Sequence, residues 1–370
     1  MITKPRQLLV GAAVTAVAAA LLTGLAPATT PTAEAATGSV RVVRTLAKDQ
    51  NVPWGMALLP GGGVVYTTRD THVVKWLDPK NGTRRNLGRI TAARSDPSSG
   101  GEGGLLGIAV DPHFNSNRLL YIYYSTATDN RVARVKLAAK GSPYHRLGTP
   151  HVILKGIPHN THHNGGQLSF GPGGRLFVTT GDAENTALPQ NKKSLGGKIL
   201  RITTDGKPAP GDPIAGSPVW TWGHRNVQGL AWDPSHRLWA SEFGDRTADE
   251  LNLIRKGHDY GWPATQGRTS HKGYTSPVAQ WGTEVDSPSG IAYTKGVIWM
   301  AALKGERLWR VPISGSHTAG KPKAYLVGKY GRLRGLLWIG KNRLLVTTSN
   351  TDGRATPNAS DDRILELAVG

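Results

Sequence analysis

Residues 167–180 read QLSFGPGGRLFVTT. A short apolar run, a Gly-Pro-Gly-Gly turn and a second run ending in two threonines spell an antiparallel hairpin. Gly and Pro supply the turn dihedrals, while Leu, Phe, Val and Thr suit a pleated surface. The same pattern recurs. Gly55 opens GMALLPGGGVVYTT, Gly107 opens GIAVDPHFNSNRLLYIYY, Gly229 opens GLAWDPSHRLWASE, Gly290 opens GIAYTKGVIWMAA and Gly335 opens GLLWIGKNRLLVTT. The leading apolar residues Met56, Ile108, Leu168, Leu230, Ile291 and Leu336 follow one another at 52, 60, 62, 61 and 45 residues.

Repetition at that period marks an array of similar supersecondary units. A third apolar run follows in every copy: VVKWL from Val73, VARVKL from Val132, ILRI from Ile199, LNLI from Leu251, LWRV from Leu308 and ILEL from Ile364. VWTW from Val219 and KAYLV from Lys323 read as fourth strands. No long amphipathic helix is expected after residue 36. The expected fold is all-β: a six-bladed β-propeller of four-stranded antiparallel sheets over residues 37–370, one domain. VRVVRTL (Val40–Leu46) closes the ring as the outer strand of the last blade. Two stacked β-sandwiches would explain the strands but not six matching registers.

Residues 1–36 read as a secretory signal peptide. Lys4 and Arg6 precede an Ala/Leu/Val stretch, and Ala33-Glu34-Ala35 offers a small-x-small cleavage site. Pro27 and Pro31 follow the stretch, so no stable membrane anchor is expected, and the absence of an Arg-Arg pair in residues 1–36 favours the general export route. The expected location is secreted, outside the cytoplasm. The chain has no Cys, which excludes disulfides, a lipid-linked cysteine and thiolate metal sites. Without Lys4, Arg6 and Glu34, 43 basic side chains stand against 24 acidic ones. Lys and Arg never run longer than two, so this charge reads as a solvated basic surface drawn to anionic cell-envelope polymers, not as a nucleic-acid site.

In a propeller the innermost strand of each blade runs along the central axis, and the loop after the second strand returns to the face where the first began. Two rings of loop residues therefore converge. The first contains Trp54, Glu102, His162-His163-Asn164, Arg225-Asn226, Ser287-Pro288-Ser289 and Arg332-Leu333-Arg334. The second contains Arg69-Asp70, Asp182, Glu242-Phe243-Gly244-Asp245, Lys304 and Asp352. Turns alone do not require Arg225, Lys304, Arg332 and Arg334. Such cations repel one another unless an anion lies between them, and a planar polyanion is the expected guest. The alternative is that Glu102, Asp182 or Glu242 neutralise them.

GHRNVQGLAWDP from Gly223, with SEFGD, DELNLI and DYGWP after it, resembles the soluble quinoprotein glucose dehydrogenases and aldose sugar dehydrogenases of the glucose/sorbosone dehydrogenase family. GEGGLLGIAVDPHF from Gly101, His-x-Gly-Gly at His163, SPSGIAY from Ser287, ALKGERLWRV from Ala302 and GRLRGLL from Gly331 match in the same order. The resemblance spans essentially the whole chain after residue 36. It implies a propeller that binds pyrroloquinoline quinone (PQQ) and calcium on one face and oxidises aldoses to lactones. It places His163 as catalytic base and Arg225 and Asn226 at the quinone, with Lys304, Arg332 and Arg334 on its carboxylates. Gly244 and Asp245 would offer main-chain carbonyls to calcium, with the Asp245 carboxylate as an alternative ligand. The partners implied are a small-molecule aldose and a separate electron acceptor, since no Cys-x-x-Cys-His for haem is present.

Several positions depart from the glucose dehydrogenase pattern. His162 stands in place of an acidic residue, which implies a base without an adjacent carboxylate, and the two histidines are expected on opposite sides of an extended segment. Glu102 replaces a glutamine, Phe243 a polar residue, Asp245 a proline and Gln167 an arginine. Glu102, Phe243 and Trp54 are the candidate substrate contacts. A calcium-dependent lactonase and a non-catalytic sugar- or wall-binding propeller are the competing classes.

Overall fold

In the computed structural model, which describes residues 38–49, 51–138, 146–318 and 320–370, the repeats become six antiparallel sheets. The expected signal peptide lies outside the described residues. Blade 1 takes Pro53–Leu58, Val64–Thr68, Val73–Leu77 and Arg84–Arg89, from the axis outward; blade 2 takes Leu105–Val110, Leu119–Ser125, Asn130–Lys136 and His151–Ile157. Blade 3 takes Leu168–Phe170, Leu176–Thr179, Lys198–Ile202 and Val219–Trp222; blade 4 takes Asn226–Trp232, Leu238–Phe243, Asp249–Ile254 and Ala279–Trp281. Blade 5 takes Pro288–Thr294, Val297–Ala302 and Arg307–Ser314, the last pairing with both His317–Thr318 and Lys323–Tyr325. Blade 6 takes Leu333–Trp338, Arg343–Thr348, Arg363–Val369 and the N-terminal strand Val40–Lys48.

The closing strand pairs from Val40 opposite Val369 to Lys48 opposite Arg363. Arg44 adds an ion pair to Glu366 at 2.8 Å, and Leu46 is buried against Met56 and Ile364. Burial of one such leucine stabilises by about 1.5–3 kcal/mol. The ring thus shuts by strand pairing and by apolar contact between the two ends of the described chain.

The blades meet at the axis through bare backbone. A Cβ on Gly107 would lie 2.1 Å from the Gly166 carbonyl oxygen, and one on Gly335 would lie 2.7 Å from that of Trp54. Around these glycines and their equivalents the register shifts, between Pro53 and Met56, Leu105 and Ile108, Val227 and Gly229, Pro288 and Ile291, and Leu333 and Leu336. Each shift is a β-bulge, which bends the strand and re-aims the residues before it. The second strand's hydroxyls satisfy the displaced amides: Gly55 N–H donates to Thr67 Oγ1 (2.9 Å), Gln167 to Thr179 (2.8 Å) and Gly335 to Thr347 (2.8 Å). The recurrent Thr of the repeat has this work. Beneath the face the axial pocket is about 10 Å³, lined by Trp54, Gln167, Gln228, Ser289 and Arg334 among others. It holds about one water, so a larger ligand is received on the face and not inside the channel.

Candidate active site

His163 precedes the innermost strand of blade 3 and takes a left-handed backbone (φ 57°). That conformation is costly for a non-glycine residue and persists only when its surroundings hold it. They do. Gly181 leaves room for the His163 carbonyl, which a Cβ there would meet at 1.8 Å, and Ala183 N–H donates to the same oxygen at 3.2 Å. His163 N–H donates to Glu102 Oε2 at 3.0 Å. On the following residue, Tyr123 O–H donates to the Asn164 carbonyl at 2.8 Å.

The imidazole is fixed as firmly as its backbone. Its Nδ1 lies 2.7 Å from Oδ1 of Asp182, while Trp262 Nε1–H donates to Oδ2 at 2.8 Å and Glu184 N–H to Oδ1 at 2.9 Å. Asp182 is buried and His163 keeps 17% of its side chain exposed. An ionised carboxylate only accepts, so Nδ1 carries a proton, and in the neutral ring Nε2 is the nitrogen with the lone pair. This corrects the expectation of a base without a carboxylate: Asp182, nineteen residues away on the second ring, takes that part. The segment is also not extended at His163. His162 turns to Glu184, with Nδ1 2.9 Å from Oε1.

Glu102 ties blade 2 to this centre. Besides the His163 amide it receives Asn226 Nδ2–H at 3.5 Å, and it pairs with Arg354 at 3.5 Å. Burial would raise its carboxyl, but Arg354 and the His163 amide outweigh burial and hold it below the usual range. Asn226, buried, accepts Gly165 N–H at 3.0 Å. Arg225 lies over the Trp262 ring at 5.5 Å and pairs with Asp245 at 3.2 Å. Its backbone is clamped by Glu242, which accepts Arg225 N–H at 2.7 Å and faces the buried His224 at 2.8 Å. Phe243 lies opposite Asn226 in the sheet and stays partly exposed.

The other cations sit on blades 5, 6 and 1. Arg332 and Arg334 share Asp352 Oδ2 at 3.1 and 3.4 Å. Gln228 and Ser349 accept from Arg334 at 3.2 and 2.9 Å, and its guanidinium is 6.0 Å from the centroid of the buried Trp54. Burial draws Arg334 down to about 10, against the pull of Asp352 and with that of Arg69 and Arg332. Lys304 stands apart, exposed, paired only with Glu284 at 2.7 Å. Arg69, fully buried, makes a two-point pair with Asp70 at 2.7 and 3.0 Å. Arg225, Lys304, Arg332 and Arg334 are therefore paired, but with Asp245, Glu284 and Asp352 and not with Glu102, Asp182 or Glu242 as the alternative supposed; Glu102 pairs with Arg354. Asp182 and Glu242 hold histidines.

The residues fit an anionic quinone and a hard cation on three observations. Arg69 Nη1 and Arg225 Nε are buried without a partner in the described protein, each an unmet donor that an acceptor would satisfy. The Lys304–Glu284 pair is exposed on both sides, so it gives way at a cost of about 0–1 kcal/mol. The described residues hold no group of three or more metal-ligating side chains, and the Asp245 carboxylate is engaged by Arg225 and Arg246. A cation beside them depends on main-chain oxygens, and the Gly244 and Asp245 carbonyls accept no hydrogen bond from described residues. Asp182, Trp262, Arg69, Arg354 and His224 escaped sequence reasoning as working parts, although DYGWP contains Trp262 and the second ring contains Asp182 and Arg69.

A family model described as Glucose / Sorbosone dehydrogenase matches residues 50–357. The aldose sugar dehydrogenase of Escherichia coli (strain K12) is 30% identical over 274 residues, 68% of this chain and 72% of that protein. Quinoprotein glucose dehydrogenase B of Acinetobacter calcoaceticus is 29% identical over 300 residues, 70% of this chain and 61% of that one. Among solved structures, the PQQ-bound aldose sugar dehydrogenase of Streptomyces coelicolor superposes with a TM-score of 0.87 at 50% identity, covering 90% of this chain and 99% of that one.

Proposed function

Because the chain belongs to the glucose/sorbosone dehydrogenase family, we propose that it is a PQQ- and calcium-dependent aldose dehydrogenase that converts the C1 hydroxyl of an aldose to a lactone. The observation that carries the reading is His163 Nε2, an accessible basic nitrogen whose ring is fixed through Nδ1 by Asp182 at 2.7 Å. In the proposed site Arg69, Arg225, Asn226, Lys304, Arg332 and Arg334 hold the quinone, and the carbonyls of Gly244 and Asp245 hold calcium. When bound, the quinone would supply the acceptor for the C1 hydride, and calcium would add Lewis-acid polarisation beside it.

The chain's own residues do the rest. Nε2 takes the proton of the sugar O–H as the C1 hydrogen leaves with its electron pair, and the imidazolium that forms is stabilised across Nδ1–H by Asp182. Arg225, set by Trp262 and Asp245, would hold the bound quinone and supply positive charge to offset the negative charge it gains. Glu102 and Phe243 border the substrate side, while buried Trp54 supports Arg334. Electrons then pass to a separate acceptor, since no Cys is present to attach a haem. In this reading residues 1–36 serve as an export leader, which would set the reaction outside the cytoplasm. Purified protein given PQQ, calcium, a dye acceptor and an aldose panel should reduce the dye only with all components present; no dye reduction with any aldose would end this reading.

A further inference from the structure

The face opposite the candidate active site carries a cleft of about 410 Å³ between blades 1 and 2, within the roughly 300–1,000 Å³ range of small-molecule sites. Its position follows from the topology. The Leu59–Gly63 turn, the end of the third strand at Trp76 and the short helix Phe114–Asn117 all lie at strand ends remote from His163. The floor is apolar and buried, formed by Leu59, Leu87, Phe114 and Leu137. The walls are aromatic and cationic: Arg85 lies over the Trp76 ring at 5.7 Å, and Arg118 lies over Phe114 at 4.5 Å.

These cations differ from those of the other face. There, Arg69, Arg225, Lys304, Arg332, Arg334 and Arg354 each have a carboxylate within 3.5 Å. Lys80, Arg85 and Arg118 pair with no carboxylate of the described protein. Among the described residues the Arg118 side chain gives one hydrogen bond, to the Ala138 carbonyl at 2.8 Å, and its Nε is buried without a partner. The one acid of the cleft, Asp78, accepts Lys80 N–H at 2.8 Å. Two cations in excess over one carboxylate, an indole wall and an apolar floor suit a ligand with apolar C–H faces, hydroxyls and an anionic group.

We propose that this cleft binds an acidic saccharide, with a sugar face against Trp76 and its carboxylate or phosphate between Arg85, Arg118 and Lys80. The site is separate from the catalytic face, so sugar oxidation proceeds without it, and it tethers the enzyme to anionic glycan. Isothermal titration of the purified protein with trigalacturonate and with glucose 6-phosphate tests this, and the tighter of the two identifies the anion. Neutral maltotriose should bind at least tenfold more weakly. Arg85→Glu and Trp76→Ala should each weaken binding ten- to a hundredfold, while oxidation of a neutral aldose stays within twofold and Arg41→Ala on the closing strand leaves binding unchanged. Arg85 is exposed, so its variant remains informative should Trp76→Ala fail to fold. Absence of saturable binding of either anion, equal binding of maltotriose, or an equal loss with Arg41→Ala would overturn the proposal.

Discussion

His163 Nδ1 stands 2.7 Å from Asp182 Oδ1, joining a loop before one strand to a loop after its neighbour. Two further donors, Trp262 Nε1–H and Glu184 N–H, also point at this carboxylate. An amide in its place must set its NH2 group against one of them, or against His163. Asp182→Asn is therefore expected to slow quinone reduction by at least about tenfold while PQQ affinity stays within a few-fold. Rapid-mixing kinetics paired with a PQQ titration check it; unchanged reduction would remove Asp182 from the proton-transfer machinery.

Lys304 and Glu284 give a test of cofactor capture. Lys304→Ala should weaken PQQ binding by about 1.5–3 kcal/mol, roughly ten- to a hundredfold. Glu284→Gln should leave affinity equal or improve it, because it frees Lys304 from a competing exposed carboxylate. Absorbance titration of both variants decides the point, and weakening by Glu284→Gln would contradict it.

Asp245 should matter to Arg225 more than to calcium. Asp245→Asn keeps the carbonyl and removes the charge that pairs with Arg225 at 3.2 Å. Calcium affinity is expected to stay within about a few-fold. A drop of a hundredfold in calcium titration would make the carboxylate a ligand.

The buried carboxylates beneath the site predict a pH dependence of stability. Glu250 is pushed up to about 8, first by burial and then by Glu242, with Asn252 bridging the two. Its folded pKa exceeds the unfolded value of about 4.3, so the folded state retains a proton that the unfolded chain releases. The resulting stability is complete below about pH 4.3 and is lost as pH rises toward 8, by at most about 1.4 kcal/mol per unit. Glu250→Gln should flatten that slope in denaturant unfolding between pH 5 and 8; parallel slopes in both proteins would contradict it.

Much of the fold was legible because the repeat carries its own physics. The six turns and the alternating apolar runs fixed strand order, and the closing strand at Val40 followed from the one unfilled edge. The bulges were not legible, since a register shift leaves no mark beyond the Gly that permits close approach at Gly107 and Gly335. In the site, chain order placed His163, Arg225 and Asn226 on one face. The partner of His163 is not legible in the chain because sequence proximity points to its neighbour His162, whereas the left-handed turn aims the ring at Asp182. Trp262 and Arg354 act across blades, where spacing along the chain carries no information.

The most direct test of the account is the rate at which an aldose reduces bound quinone in wild type and in His163→Gln, followed by rapid mixing across pH. The glutamine variant should fold, take up PQQ and calcium, and reduce quinone at least about 10²-fold more slowly. The wild-type rate should rise with pH, as a reaction that needs a proton acceptor does, and the variant's should not. A His163→Gln protein that reduces quinone at the wild-type rate, with the wild-type pH dependence, would contradict the account.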